Sequence, residues 1–208
     1  MKFIPLGIQC SVPEGIKRAN LREYSYPLDW LWTPCKTSYD ILNILINKGI
    51  DETVKYMTMG YKYYIYLGNE HYILNNDETE CQMNKESGLG ITHYTINDEY
   101  KLKLFKRLEI LLRDITSLEN IVFIYADAAN SNLNYHLDDI NYGIDASPYL
   151  LKIYDLIYPL NNNIKIIYYC WYERISENNI IEYIPFNYKQ NWYEVAELIK
   201  NNLIYKYS

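Results

Sequence analysis

Apolar positions along the chain follow two rhythms. Residues 2–6 read as a short strand entering a glycine-containing loop, 121–125 is an unbroken apolar run, and 164–169 is apolar apart from Lys165. Runs of that kind suit strands covered on both faces, and 180–184 predicts one more. Elsewhere the spacing is helical. Ile41, Leu42, Leu45 and Ile46 follow Thr37 or Ser38 as cap, with Gly49 beyond the end. Leu104, Leu108, Leu111 and Ile115 follow an opening at Asn97 or Asp98. Ser147-Pro148 starts a helix that ends before Pro159, and 190–203 forms another with Trp192, Val195, Leu198 and Ile199 on its inner side. Ser11-Val12-Pro13-Glu14 has the capping-box pattern, which predicts Ser11 as N-cap of a short helix reaching about Asn20.

Between these elements the pattern is shorter-ranged. Residues 61–67 and 70–75 are β-prone and flank Gly68-Asn69, a hairpin signal. Residues 90–95 read as a further short strand, 21–36 as a compact aromatic-rich loop, 76–87 as a polar loop and 126–146 as an Asn/Asp-rich connection. Strands alternating with helices predict an α/β fold: a three-layer sandwich with a mainly parallel sheet and a β-hairpin near 61–75 inserted at one edge. Neither a repeat nor a low-complexity linker interrupts residues 1–208, so the expectation is a single domain.

Charge and composition narrow the partners. Twenty-six acidic against 20 basic residues give a net charge of −6 and no run of Lys or Arg, so no nucleic acid and no membrane surface is expected as partner. The 25 tyrosines and the preference for Lys over Arg reflect an AT-rich genome, a viral one among the candidates, and carry no chemistry. The N-terminal stretch is broken by Pro5, Gly7 and Gln9, which reads as no export signal. Cys10, Cys35, Cys81 and Cys170 form no Cys-x-x-Cys pair. The expectation is four free thiols in the cytoplasm (host cytoplasm for a virus), with no metal and no organic cofactor.

Cys10 is the sharpest local feature. It falls just past a strand and just before a capped helix, where unpaired N–H groups and the helix dipole stabilise a thiolate. A cysteine nucleophile needs a base, and the chain offers His71, His93 and His136. His71 sits in the hairpin, where a surface role fits better. His93, after Gly88 and Gly90, and His136, in the polar connection, rank equally on position alone.

Phe3-Ile4-Pro5-Leu6-Gly7-Ile8-Gln9-Cys10, then Leu21-Arg22, then Tyr24-Ser25-Tyr26-Pro27-Leu28-Asp29-Trp30 resembles the opening signature of the papain-like cysteine peptidase family long catalogued as a domain of unknown function. Gly88 or Gly90 through His93 resembles that family's later Gly-x-x-x-His element. The resemblance implies Cys10 as nucleophile, His93 as its base and Asp29 as an orienting or loop-pinning carboxylate. Leu28 stands where the family has Phe, and Tyr94 where an Asp often follows the His. Asp127, at the end of the 121–125 strand, is the candidate substitute for that carboxylate.

The reading is therefore a thiol hydrolase acting on a peptide or another amide or thioester, with the N–H groups of Ser11 and Val12 as oxyanion donors. Its alternatives are a catalytically inactive interaction domain that keeps the architecture, and a flavodoxin-like esterase in which Cys10 is again the reactive atom.

Overall fold

The apolar runs at Lys2–Pro5, Ile121–Ala126 and Ile164–Cys170 lie side by side, as burial on both faces requires. In the computed structural model the described residues are 1–7, 10–60, 62–67, 70–73, 81–84, 87–92, 95–127, 145–171, 179–187 and 189–207. In chain order the first elements are β1 (Lys2–Pro5), α1 (Ser11–Arg18), β2 (Leu31–Trp32), α2 (Cys35–Lys48), α3 (Ile50–Thr58), β3 (Lys62–Leu67) and β4 (Glu70–Ile73). Then come β5 (Cys81–Met83), β6 (Gly90–Thr92), α4 (Asp98–Ile115), β7 (Ile121–Ala126), α5 (Ser147–Ile157), β8 (Ile164–Cys170), β9 (Ile181–Pro185) and α6 (Trp192–Tyr207).

The main sheet is parallel, in the order β1-β7-β8-β9, with Ile4 opposite Phe123 and Phe123 opposite Ile166. Period-two alternation divides its side chains between two cores. Ile4, Leu6, Phe123, Tyr125, Ile166 and Tyr168 face α2, α3, α4 and α5, where Leu45, Met57, Leu108 and Ile153 close the layer. Phe3, Val122, Ile124, Ile167 and Tyr169 face α1 and α6, against Val12, Ile16, Val195 and Ile199. The expected α/β three-layer sandwich is thus present. Pro5 is tolerated because β1 is an edge strand.

The second sheet is antiparallel, in the order β2-β6-β5-β3-β4. The expected hairpin is there, with Leu67 opposite Glu70. It belongs to this sheet, however, and not to an edge of the parallel one.

Local differences from the sequence reading have physical causes. Ser11 is the first residue of α1, not its cap: Cys10 occupies the N-cap position, and Glu14 spends its carboxylate on Arg18 Nε at 2.8 Å. The second helix starts at Cys35, two residues ahead of Thr37. Ser38 Oγ donates to Leu6 O, and Thr37 Oγ1 to Ser87 O, so both hydroxyls serve tertiary contacts. Asn97 caps α4 as expected, its Oδ1 accepting from Tyr100 N–H at 2.8 Å. Trp192, expected on the inner side of α6, is 45% exposed because it precedes the buried turn at Val195. Among the described residues no helix is long and apolar enough to cross a membrane.

Candidate functional site

β1 ends at Pro5, and Leu6 N–H still donates to Ile124 O at 2.9 Å. The chain then turns away from the sheet through Gly7, whose φ of 101° is open to glycine. A Cβ at Gly7 would lie 2.5 Å from Thr33 Cβ, so the turn is pressed against Thr33 with no room for a side chain. Cys10 follows with φ −64° and ψ −15°, already helical, and its carbonyl accepts from Glu14 N–H at 3.0 Å. Pro13 has no N–H, and the N–H groups of Ser11 and Val12 have no acceptor within the helix. These two donors are therefore beside Cys10 at the positive end of α1.

Cys10 is half-buried, whereas Cys35 and Cys170 are buried. Burial pushes the Cys10 thiol above its ordinary value. A hydrogen bond from its own backbone offsets part of this, and the Glu14 carboxylate adds to the rise. The direction is opposite to the one the helix start alone predicts, and desolvation is its largest cause. Val12 packs into the core below, and Ser11 Oγ is buried with no hydrogen-bond partner among the described residues.

The candidate base lies outside the described residues, as do His136, Tyr94 and the Gly68-Asn69 turn; His93 directly follows β6. That strand is fed by a tight turn in which Asn84 N–H donates to Leu89 O and Gly88 N–H to Asn84 O, both at 2.9 Å.

Asp29 is 1% exposed and fully engaged. Its Oδ2 accepts from Tyr26 N–H at 2.9 Å and from the Arg22 guanidinium. Arg22 also donates to Ser25 Oγ at 2.9 Å and to Tyr24 O at 3.1 Å, and lies 5.8 Å from the centre of the Trp30 ring. Burial pushes the Asp29 carboxyl up to about 6, with Arg22 and the Tyr26 N–H pulling the other way. The Leu21-to-Trp30 motif thus folds into a closed clamp, fastened to α4 by Tyr26 OH donating to Asp114 Oδ2 at 2.8 Å.

Asp127 lies at the carboxyl end of β7, the neighbour of β1, on the same edge of the sheet as the Cys10 turn. Its carboxylate accepts from Tyr168 OH at 2.7 Å and from Trp171 N–H at 2.9 Å. Cys10, Ser11 and Val12 form one contiguous group; Asp29 belongs to the clamp, and Asp127 to a buried network between β7 and β8.

Two contributors escaped the sequence reading. Thr33, buried against Gly7, and Ser38, bonded to Leu6 O, both brace the Cys10 turn. Thr33 fell within the stretch read as an aromatic-rich loop, and its contact with Gly7 is tertiary. A cavity of about 520 Å³ lies elsewhere, lined by Ile44, Lys48, Glu52, Tyr56 and Asn84 among others, none from the Cys10 turn. Among the described residues no group of His, Cys, Asp and Glu is placed to hold a metal ion.

No curated protein and no solved structure matches the chain. A family model described as putative papain-like cysteine peptidase matches residues 1–141, which takes in the Cys10 turn, the clamp, both edges of the second sheet and β7. The chain belongs to that papain-like cysteine peptidase family.

Proposed function

We propose that the chain is a single-domain thiol hydrolase in which Cys10 attacks the carbonyl carbon of a peptide, or of another amide or thioester. His93 takes the thiol proton as the Sγ–C bond forms, then gives it to the leaving amine or thiol as the scissile bond breaks. Water, deprotonated by His93, releases the acyl group from Cys10 and restores the thiol. The N–H groups of Ser11 and Val12 meet the oxyanion, each worth about 3 kcal/mol in such a role.

The observation that carries this reading is the placement of a half-buried thiol at the N-cap of α1, beside two N–H groups without helical acceptors, in a member of this family. Crevices at the carboxyl ends of parallel strands are where open α/β sheets bind their ligands. Asp29 acts here by pinning its loop, and a reducing cytoplasm keeps Cys10 a free thiol.

The test is turnover of a panel of peptide p-nitroanilides and acyl thioesters by wild-type protein and Cys10→Ala, with intact mass spectrometry for an acyl adduct. The reading expects turnover in the wild type, a transient adduct on Cys10, and loss of both in the variant. Turnover that survives in Cys10→Ala would exclude it. The raised Cys10 thiol favours a second reading, an interaction domain that retains the architecture without the activity. That reading expects neither turnover nor adduct in the wild type.

A further inference from the structure

A cysteine–histidine pair works only if the two groups are held at hydrogen-bond distance, and here they sit on different parts of the fold. Cys10 follows an edge strand of the parallel sheet; His93 directly follows β6 of the antiparallel sheet. Both parts share a core, and a short segment runs directly from one to the other. β2 pairs with β6, Leu31 opposite Ile91 and Trp32 opposite Gly90, and the next residue, Thr33, presses on Gly7.

That segment is itself fixed from behind. Trp30 enters β2 with a φ of 63°, a left-handed conformation unfavourable for a bulky residue, which persists only where the surroundings impose it. The surroundings are the Arg22 guanidinium beside the Trp30 ring, the Arg22–Asp29 ion pair, and Tyr26, which ties the clamp to Asp114 of α4. Among the described residues Thr33 Oγ1 has no hydrogen-bond partner, and the contact with Gly7 is made by the branched side chain packed on it.

We propose that Thr33, on the β2 segment held by the Arg22–Asp29 clamp, is a positioning residue that sets the Cys10 turn against the strand that precedes His93. The inference rests on the thiol-hydrolase reading. It assigns the Leu-Arg and Asp-Trp parts of the motif to this bracket and not to contact with substrate.

The experiment is the pH profile of Cys10 alkylation by iodoacetamide, read by peptide mass spectrometry, in wild type, His93→Ala, Thr33→Ala, Thr33→Val and Arg22→Gln. Circular dichroism and thermal melts check that each is folded, and Leu111→Ala serves as a destabilised control in the core of α4. In the wild type a limb below pH 7 depends on His93. Thr33→Ala and Arg22→Gln should lose about tenfold in that limb, while labelling above pH 9 stays within about twofold. Thr33→Val, which keeps the branched shape, should restore the limb, and Leu111→Ala should retain it. A folded Thr33→Ala with an undiminished limb overturns the inference and leaves the hydrolase reading standing. A wild type without a His93-dependent limb overturns both.

Discussion

At the scale of single residues, Asp29 is a motif carboxylate whose described hydrogen bonds are all within its own loop. Its carboxyl sits at about 6, mainly because burial penalises the charge, and Arg22, the Tyr26 N–H and Arg107 only partly offset this. The unfolded value is near 3.8, so the native state binds this proton more tightly than the unfolded chain does. The stabilisation is complete below the unfolded value and disappears as pH rises through about 6. Thermal melts from about pH 4 to pH 7 should show wild-type protein losing stability relative to Asp29→Asn, which has no proton to lose. Parallel pH dependences would show that burial does not govern this group. Tyr26 makes a second prediction at this scale. Tyr26→Phe removes the donor to Asp114 Oδ2, leaving a buried carboxylate oxygen short of a partner, and should cost about 1–3 kcal/mol in urea unfolding. A change below a few tenths would mean that Arg113, also bound to Asp114, is sufficient.

Among the elements, the contact of α1 with α6 places Cys10, because the N-cap can be no better fixed than its helix. Gly15 lies mid-helix, where Ala would ordinarily be favoured by about 1 kcal/mol. Here an added Cβ would come 2.6 Å from Ile199 Cγ2 and 3.0 Å from Ala196 O. Gly15→Ala should therefore destabilise by about 1–3 kcal/mol, and Ile199→Ala should recover part of the loss in the double variant. A raised melting temperature in Gly15→Ala would contradict this packing. Elements with strong periodicity were legible in the sequence: β7 and β8 as apolar runs, and α4 from Asn97 and its leucines. The helix α3 was not, since its stripe of Ile50, Val54 and Met57 is short and only Thr53 and Met57 are fully buried. β5 is three residues in a polar run, held by pairing with β3 and β6 and not by its own composition. The start of α1 was misread by one position because Glu14, the expected return partner of a capping box, pairs with Arg18 and leaves Ser11 inside the helix.

For the whole molecule, the arrangement that matters is two sheets that share a core and are bridged by the β2 segment. The parallel sheet puts the Cys10 turn and Asp127 on its carboxyl edge, and the antiparallel sheet delivers the strand that precedes His93. The proposed nucleophile was visible as a cysteine between a strand and a helix, and the motif around it pointed to the family. The bracing by Thr33 and Ser38 could not be read from the chain, because each acts on a residue more than twenty positions away. The acidity of the thiol was also beyond sequence reading. Burial and the Glu14 carboxylate raise its pKa, so on the proposed thiol-hydrolase reading the activation comes from the imidazole of His93. Cys10 alkylation by iodoacetamide from about pH 5 to pH 10 measures this directly in the wild type and in His93→Ala. The account predicts fast labelling of Cys10 below pH 7 in the wild type, far ahead of Cys35 and Cys170, and its loss in His93→Ala. A single rise above pH 9, identical in both proteins, would contradict it.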